Sequence, residues 1–62
     1  MCEGVAILVE GGSETRLMEE VTLILVRGRC VILVDEEGRE KRVEGFSEIR
    51  VDMLRHEIRI AI

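Results

Sequence analysis

Two aliphatic runs near the middle of the chain constrain its fold more than anything else. They are Val21-Thr22-Leu23-Ile24-Leu25-Val26 and Cys30-Val31-Ile32-Leu33-Val34, divided by a turn at Arg27-Gly28. β-Branched residues crowd both runs, and branching at Cβ favours the extended pleat over the helix. Leu17, Val21 and Leu25 do share the i, i+4 spacing of a helix face. The density of Val, Ile and Thr through 21–26 outweighs it and predicts strand. Each run is apolar on both faces: Leu23 and Leu25 against Ile24 and Val26, then Ile32 and Val34 against Val31 and Leu33. A 62-residue chain cannot easily cover both faces itself, and an apolar face left in water invites aggregation. A second copy is the expected cover, which makes the chain a homodimer.

The remaining segments read as short strands cut by glycine and acidic turns. Val5 to Val9 ends at Gly11-Gly12-Ser13, a hairpin signal. Thr15 to Met18 returns, with Glu19-Glu20 as a break before the first aliphatic run. Asp35-Glu36-Glu37-Gly38 turns the chain into Glu40 to Val43. Glu48 to Asp52 and Glu57 to Ile60 alternate strictly, with Ile49, Val51, Ile58 and Ile60 on one face and charges on the other. That is the pattern of a sheet with one wet face. No linker or repeat interrupts residues 1–62, so one domain is expected. Six to seven short antiparallel strands in this length predict an all-β fold, a small SH3-like or Sm-like barrel or a two-layer sandwich.

Hydrophobic residues make up 47% of the chain, yet Phe46 is its one aromatic, so the core has to be aliphatic. A domain this small buries only about 60% of the surface its unfolded chain exposes, and a metal or a partner subunit commonly supplies the missing stability. The net charge is −4, and Arg16, Arg27, Arg29, Arg39, Lys41 and Arg42 are interleaved with Glu. Phosphate-backbone partners call for a basic face, so nucleic acid is a disfavoured partner. Asn and Gln are absent while Glu and Arg abound, a hyperthermophile trend. The longest apolar runs, about five or six residues, fall far short of the roughly 20 that a spanning helix needs, and no signal peptide is visible. A cytoplasmic location is expected. In a reducing compartment Cys2 and Cys30 are not a disulfide framework, although a bridge between them stays open for a hyperthermophile.

Catalytic chemistry finds few carriers. There is no Ser–His–Asp set, no glycine-rich phosphate loop and no metal-protease spacing, so an enzyme is not expected. His56, in Leu54-Arg55-His56-Glu57, falls in the last turn or at the start of the last strand. It reads first as a turn histidine and second as a ligand. Asp35-Glu36-Glu37 could hold a hard cation, but a solvated turn explains it better. Cys30 alternates with Ile32 and Val34 and reads as a small hydrophobe. Cys2 stands apart through its position. Removal of Met1 would leave its amine and thiolate on one residue, a five-membered N,S chelate. Two such chelates across a dimer axis would make an N2S2 set suited to a square-planar ion such as Ni(II), whereas tetrahedral N/S sites favour zinc. With Met1 retained, the Met1 amine and a deprotonated Cys2 amide could join the thiolate. The plain alternative is a terminal cysteine with no role.

Several short motifs, in order along nearly the whole chain, give it a family resemblance. They are Met1-Cys2-Glu3, Leu17-Met18-Glu19-Glu20-Val21, Gly38-Arg39-Glu40-Lys41-Arg42-Val43, Glu44-Gly45, Glu48-Ile49 and Leu54-Arg55-His56-Glu57-Ile58. Together they resemble the small CooT-like nickel-binding proteins. The run from Val21 to Cys30 departs from that family's more polar segment. The resemblance implies a homodimeric β-protein that binds Ni(II) at the dimer interface through Cys2. It also implies a part in nickel handling around carbon monoxide dehydrogenase maturation where the family is encoded beside that enzyme, with a metalloenzyme under maturation, not identified by the resemblance, as the client. The alternative reading, from a different class, is an Sm-like module that binds RNA or a protein and in which Cys2 is incidental.

Overall fold

The computed structural model describes residues 4–62, which form six strands. They are β1 (Gly4–Glu10), β2 (Ser13–Arg27), β3 (Cys30–Asp35), β4 (Glu40–Glu44), β5 (Glu48–Asp52) and β6 (Glu57–Ala61). The all-β expectation holds, and the strand count lies within the expected range. All six share one sheet in the order β4-β3-β2-β1-β6-β5.

The 15-residue β2 is the element on which this sheet turns. Its first half pairs with β1, from Glu10 opposite Ser13 to Gly4 opposite Val21. Its second half pairs with β3, from Val21 opposite Asp35 to Arg27 opposite Cys30. The expected break at Glu19-Glu20 is therefore a bend inside one continuous strand. Glu20 takes a left-handed φ of 59°, and the register with β3 slips between Val21 and Leu23. Such a bulge adds a residue to one strand, bends it and sharpens its twist. It also divides the sheet into two arms, β4-β3 with the end of β2, and the start of β2 with β1-β6-β5.

The arms fold toward each other. Ala6, Ile58 and Ile60 from one arm and Val31, Leu33 and Val43 from the other join Val21 at the bend in a single buried cluster. The smallest extent of the Cα trace, 16 Å, accommodates two layers at the usual spacing of about 10 Å. Val31 and Leu33 are the inward faces of β3, while Cys30, Ile32 and Val34 are only half-buried on its outer face.

Two features differ from the sequence expectation. The sheet is not closed into a barrel, since β4 and β5 stand at opposite ends of the strand order. The link Gly45-Phe46-Ser47 carries the chain from one arm to the far edge of the other. Its Gly45 N–H donates to the Arg29 carbonyl at 2.9 Å and its Ser47 N–H to that of Ala61 at 2.7 Å. Nor are all strands antiparallel, because β1 and β6 run parallel. No hairpin joins these two, so no turn fixes their relative direction. Side-chain register decides it, setting Ile58 beside Ala6 and Ile60 beside Leu8. Among the described residues no helix is long and apolar enough to cross a membrane.

The bend can be tested at Glu20. A left-handed non-glycine residue costs about 1–3 kcal/mol, and β-branching worsens it. Glu20→Gly should keep or raise the stability read by chemical denaturation, whereas Glu20→Val should lower it by about 1–2 kcal/mol.

Candidate functional site

Cys2, the metal ligand expected from the sequence, lies outside the described residues. The chain enters the described fold at Gly4, opposite Val21 at the bend of β2. A Cβ on Gly4 would come within 3.0 Å of Ile58 Cδ1 and 3.3 Å of the His56 carbonyl oxygen. This close backbone approach suits glycine. The next residue fastens the entry, as the Val5 N–H donates to the His56 carbonyl at 2.9 Å. Gly4 also helps wall a cavity of about 180 Å³ whose apolar side is made by Val21, Ile24, Val51 and Ile58 and whose polar rim includes Asp52 and His56.

The turn between β5 and β6 supplies that rim. Asp52 Oδ1 accepts the N–H groups of Leu54 and Arg55, each at 3.0 Å, a side-chain cap that closes a tight turn. His56 leaves the turn with a φ of 57°, and histidine is among the residue types that adopt this region most readily. The turn reading of His56 is therefore the one its backbone fits. Its carbonyl reaches Val5, and the residue lines the cavity. Met53 and Leu54, on the same turn, are 79% and 93% exposed.

At the far end of β3 the acidic run is organised around Asp35 rather than around a cation. Asp35 is only 6% exposed. Its Oδ1 accepts the N–H groups of Glu37 and Arg39, both at 2.9 Å, and its Oδ2 accepts Arg39 Nε at 2.8 Å. Glu37 adds a longer ion pair with Arg39 at 3.4 Å. Burial pushes the Asp35 carboxyl pKa up, but donation from the Arg39 backbone and guanidinium and from the Glu37 backbone outweighs it. The carboxyl is held below its ordinary value of 3.8. Only Glu36 and Glu37 fit the expected solvated turn.

Cys30 is a half-buried free thiol between Arg27 and Glu44 in the sheet, outside the buried cluster. It packs on the outer face of β3 and not in the core. Asp35 pairs with Val21, as Gly4 does on the other side. Cys30 is five residues along β3 from that level, about 16 Å. Among the described residues no three His, Cys, Asp or Glu side chains form a set that could hold a metal ion. Sequence reasoning did not single out the cavity or its wall residues Gly4, Thr22 and Asp52. The available signal was a glycine opening a strand where no turn required one. The chain matches the family described as CO dehydrogenase accessory protein CooT over residues 1–61. No curated protein matches it.

The Asp35 corner predicts an acid limb. With its folded pKa depressed, Asp35 contributes stability that is fully present above its unfolded value of 3.8. That stability is lost as the pH falls through the lower folded value. Denaturation midpoints should hold from neutral pH down to about 5 and then decline below about 4. Asp35→Asn should be less stable at neutral pH and show a shallower acid limb than the wild type.

Proposed function

The chain belongs to the CooT family of CO dehydrogenase accessory proteins, and on that premise we propose that it is a nickel-binding accessory protein. It carries Ni(II) as cargo for maturation of a carbon monoxide dehydrogenase and is not itself a catalyst. The observation that carries this reading is the match itself, which runs from residue 1 and so includes Cys2.

The ligand chemistry starts from Cys2. Its thiolate, with the amine exposed if Met1 is removed, gives each copy an N,S pair, and two copies about a two-fold axis give N2S2. Nitrogen donors and soft, covalently bonding thiolate sulfurs in a plane suit Ni(II) better than the oxygen-rich sites of hard cations. Two peptide units separate Cys2 from Gly4, so their Cα atoms lie within about 7 Å of each other. Two chains meeting near Gly4 would thus bring both Cys2 residues to one axis. The apolar face on the end of β2 and on β3, with Leu23, Leu25, Ile32 and Val34, begins beside that point and supports the homodimer. Leu23 is 53% exposed and Leu25 37%, unusual exposure for Leu in a sheet.

Equilibrium dialysis against Ni(II) tests the assignment. One Ni(II) should bind per two chains, Cys2→Ser should abolish binding with the fold intact, and Cys30→Ser should leave binding unchanged. Loss of nickel in the Cys30 variant with retention in the Cys2 variant would overturn it. The thiol and amine shed protons from reference pKa values of about 8.5 and about 7.7–8.0. Affinity should therefore climb steeply between roughly pH 6 and 8 as metal displaces those protons. A thiolate-to-nickel charge-transfer band in the near ultraviolet and a diamagnetic ion should accompany binding. A flat pH profile with paramagnetic nickel would sink the N2S2 site.

A further inference from the structure

The turn between β5 and β6 carries side chains that folding alone does not call for. Turn tips in water are ordinarily made of Gly, Asn, Asp, Ser or Pro. Here they are Met53 and Leu54, 79% and 93% exposed. Neither belongs to the buried cluster, and Leu54 is not among the residues that line the cavity. Val51, on the strand leading into the turn, is exposed as well. Lone apolar side chains at a surface are commonplace, but neighbours presented together mark a contact with another molecule.

The backbone beneath this tip is already held in shape. Asp52 Oδ1 accepts the N–H groups of Leu54 and Arg55, and the His56 carbonyl ties the base of the turn to β1. A preorganised turn loses less conformational entropy on binding, which favours a docking role. Methionine is unbranched and polarisable and adapts to apolar pockets of varied shape.

Charge narrows the partner. Arg55 is the only Lys or Arg among residues 51–57. Its side chain is 75% exposed, and its contact with Asp52 is long, at 3.9 Å. Glu57 is engaged by Arg59, so the tip offers two apolar side chains and one cation. A bilayer suits it poorly, because two side chains bury little area and anionic headgroups repel a chain of net charge −4. A protein pocket with apolar walls and a carboxylate at its mouth encloses both side chains and pairs with the guanidinium.

Position indicates which protein. Gly4, two residues after Cys2, lies against the base of this turn, where a Cβ would come within 3.3 Å of the His56 carbonyl oxygen. A protein that hands over a metal must meet its acceptor close to the residue that holds the cargo. We propose that Met53, Leu54 and Arg55 dock this chain into an acid-rimmed apolar pocket of the nickel-free CO dehydrogenase to which its family is accessory. This rests on the nickel-accessory reading and names the surface by which the client is met.

Calorimetric titration of the full-length protein into nickel-free CO dehydrogenase tests the docking, beside equilibrium dialysis against Ni(II). The wild type should bind the enzyme. The double variant Met53→Ser, Leu54→Ser should bind tenfold or more weakly, and Arg55→Glu roughly tenfold more weakly. Both should keep the circular dichroism, sedimentation and nickel affinity of the wild type. Glu10→Gln, at the opposite end of β1, should bind the enzyme unchanged. A wild type that does not bind at about 100 μM, or tip variants that bind as well as the wild type, overturns the proposal. A loss of self-association in the tip variants overturns it too, since the tip then serves a second copy. So does tip-dependent cosedimentation with phosphatidylglycerol vesicles, which makes it a membrane contact. Nickel bound through Cys2 without tip-dependent docking leaves the nickel reading standing. Tip-dependent docking without Cys2-dependent nickel leaves the docking standing.

Discussion

A strand of 15 residues can serve two half-sheets only if it changes direction between them, and most of this molecule follows from how β2 does so. Glu20 in a left-handed conformation and the slipped register after Val21 turn the strand without ending it. Val21 sits at the junction, 4% exposed, with Gly4 opposite it on one side and Asp35 on the other. The two arms can then fold over a single aliphatic core in which the inward residues of β3, Val31 and Leu33, meet Ala6, Ile58 and Ile60.

The same bend sets the surroundings of the chain's entry at Gly4. It sets Gly4, where the chain enters the described fold, opposite Val21 and beside the cavity walled by Ile24, Val51 and Ile58. The tight turn capped by Asp52 presents the His56 carbonyl to Val5 and holds that entry in place. At the other flank of the bend, Asp35 ties the β3–β4 turn to Arg39 through both of its oxygens, which closes that corner of the sheet. The metal chemistry proposed for Cys2 therefore begins just before an entry held by the Val5–His56 hydrogen bond, and the exposed Leu23 and Leu25 follow the bend on β2.

Much of the fold was legible from side-chain periodicity. Glu48–Asp52 is a strand with the bounds its alternation predicts, and the Cys30 and Glu57 strands extend one residue past their expected ends. The expected exposure of an extra apolar face on the central strands is present at Leu23 and Leu25. The bend was not legible, because Glu19-Glu20 looks like a turn when a strand is assumed to be straight. Nor was the role of Asp35. An acidic run resembles solvated surface until the Arg39 backbone and guanidinium are seen to close around one member of it. The cavity escaped notice for a related reason. Gly4, Val21, Val51 and His56 are scattered in sequence, and only strand pairing brings them together.

The sequence by itself determined the strand content, the aliphatic core, the family and the residue on which the metal proposal rests. These depend on side-chain branching, on two-residue alternation and on ordered motifs, all local in the chain. Tertiary structure alone decided that the sheet stays open, that β6 runs parallel to β1, and that Gly4 meets the bend of β2 beside the His56 turn. Those features depend on which distant strands align their apolar faces. The burial of Ile58 and Ile60 against Ala6 and Leu8 rewards one alignment over the others, and no local pattern encodes that choice.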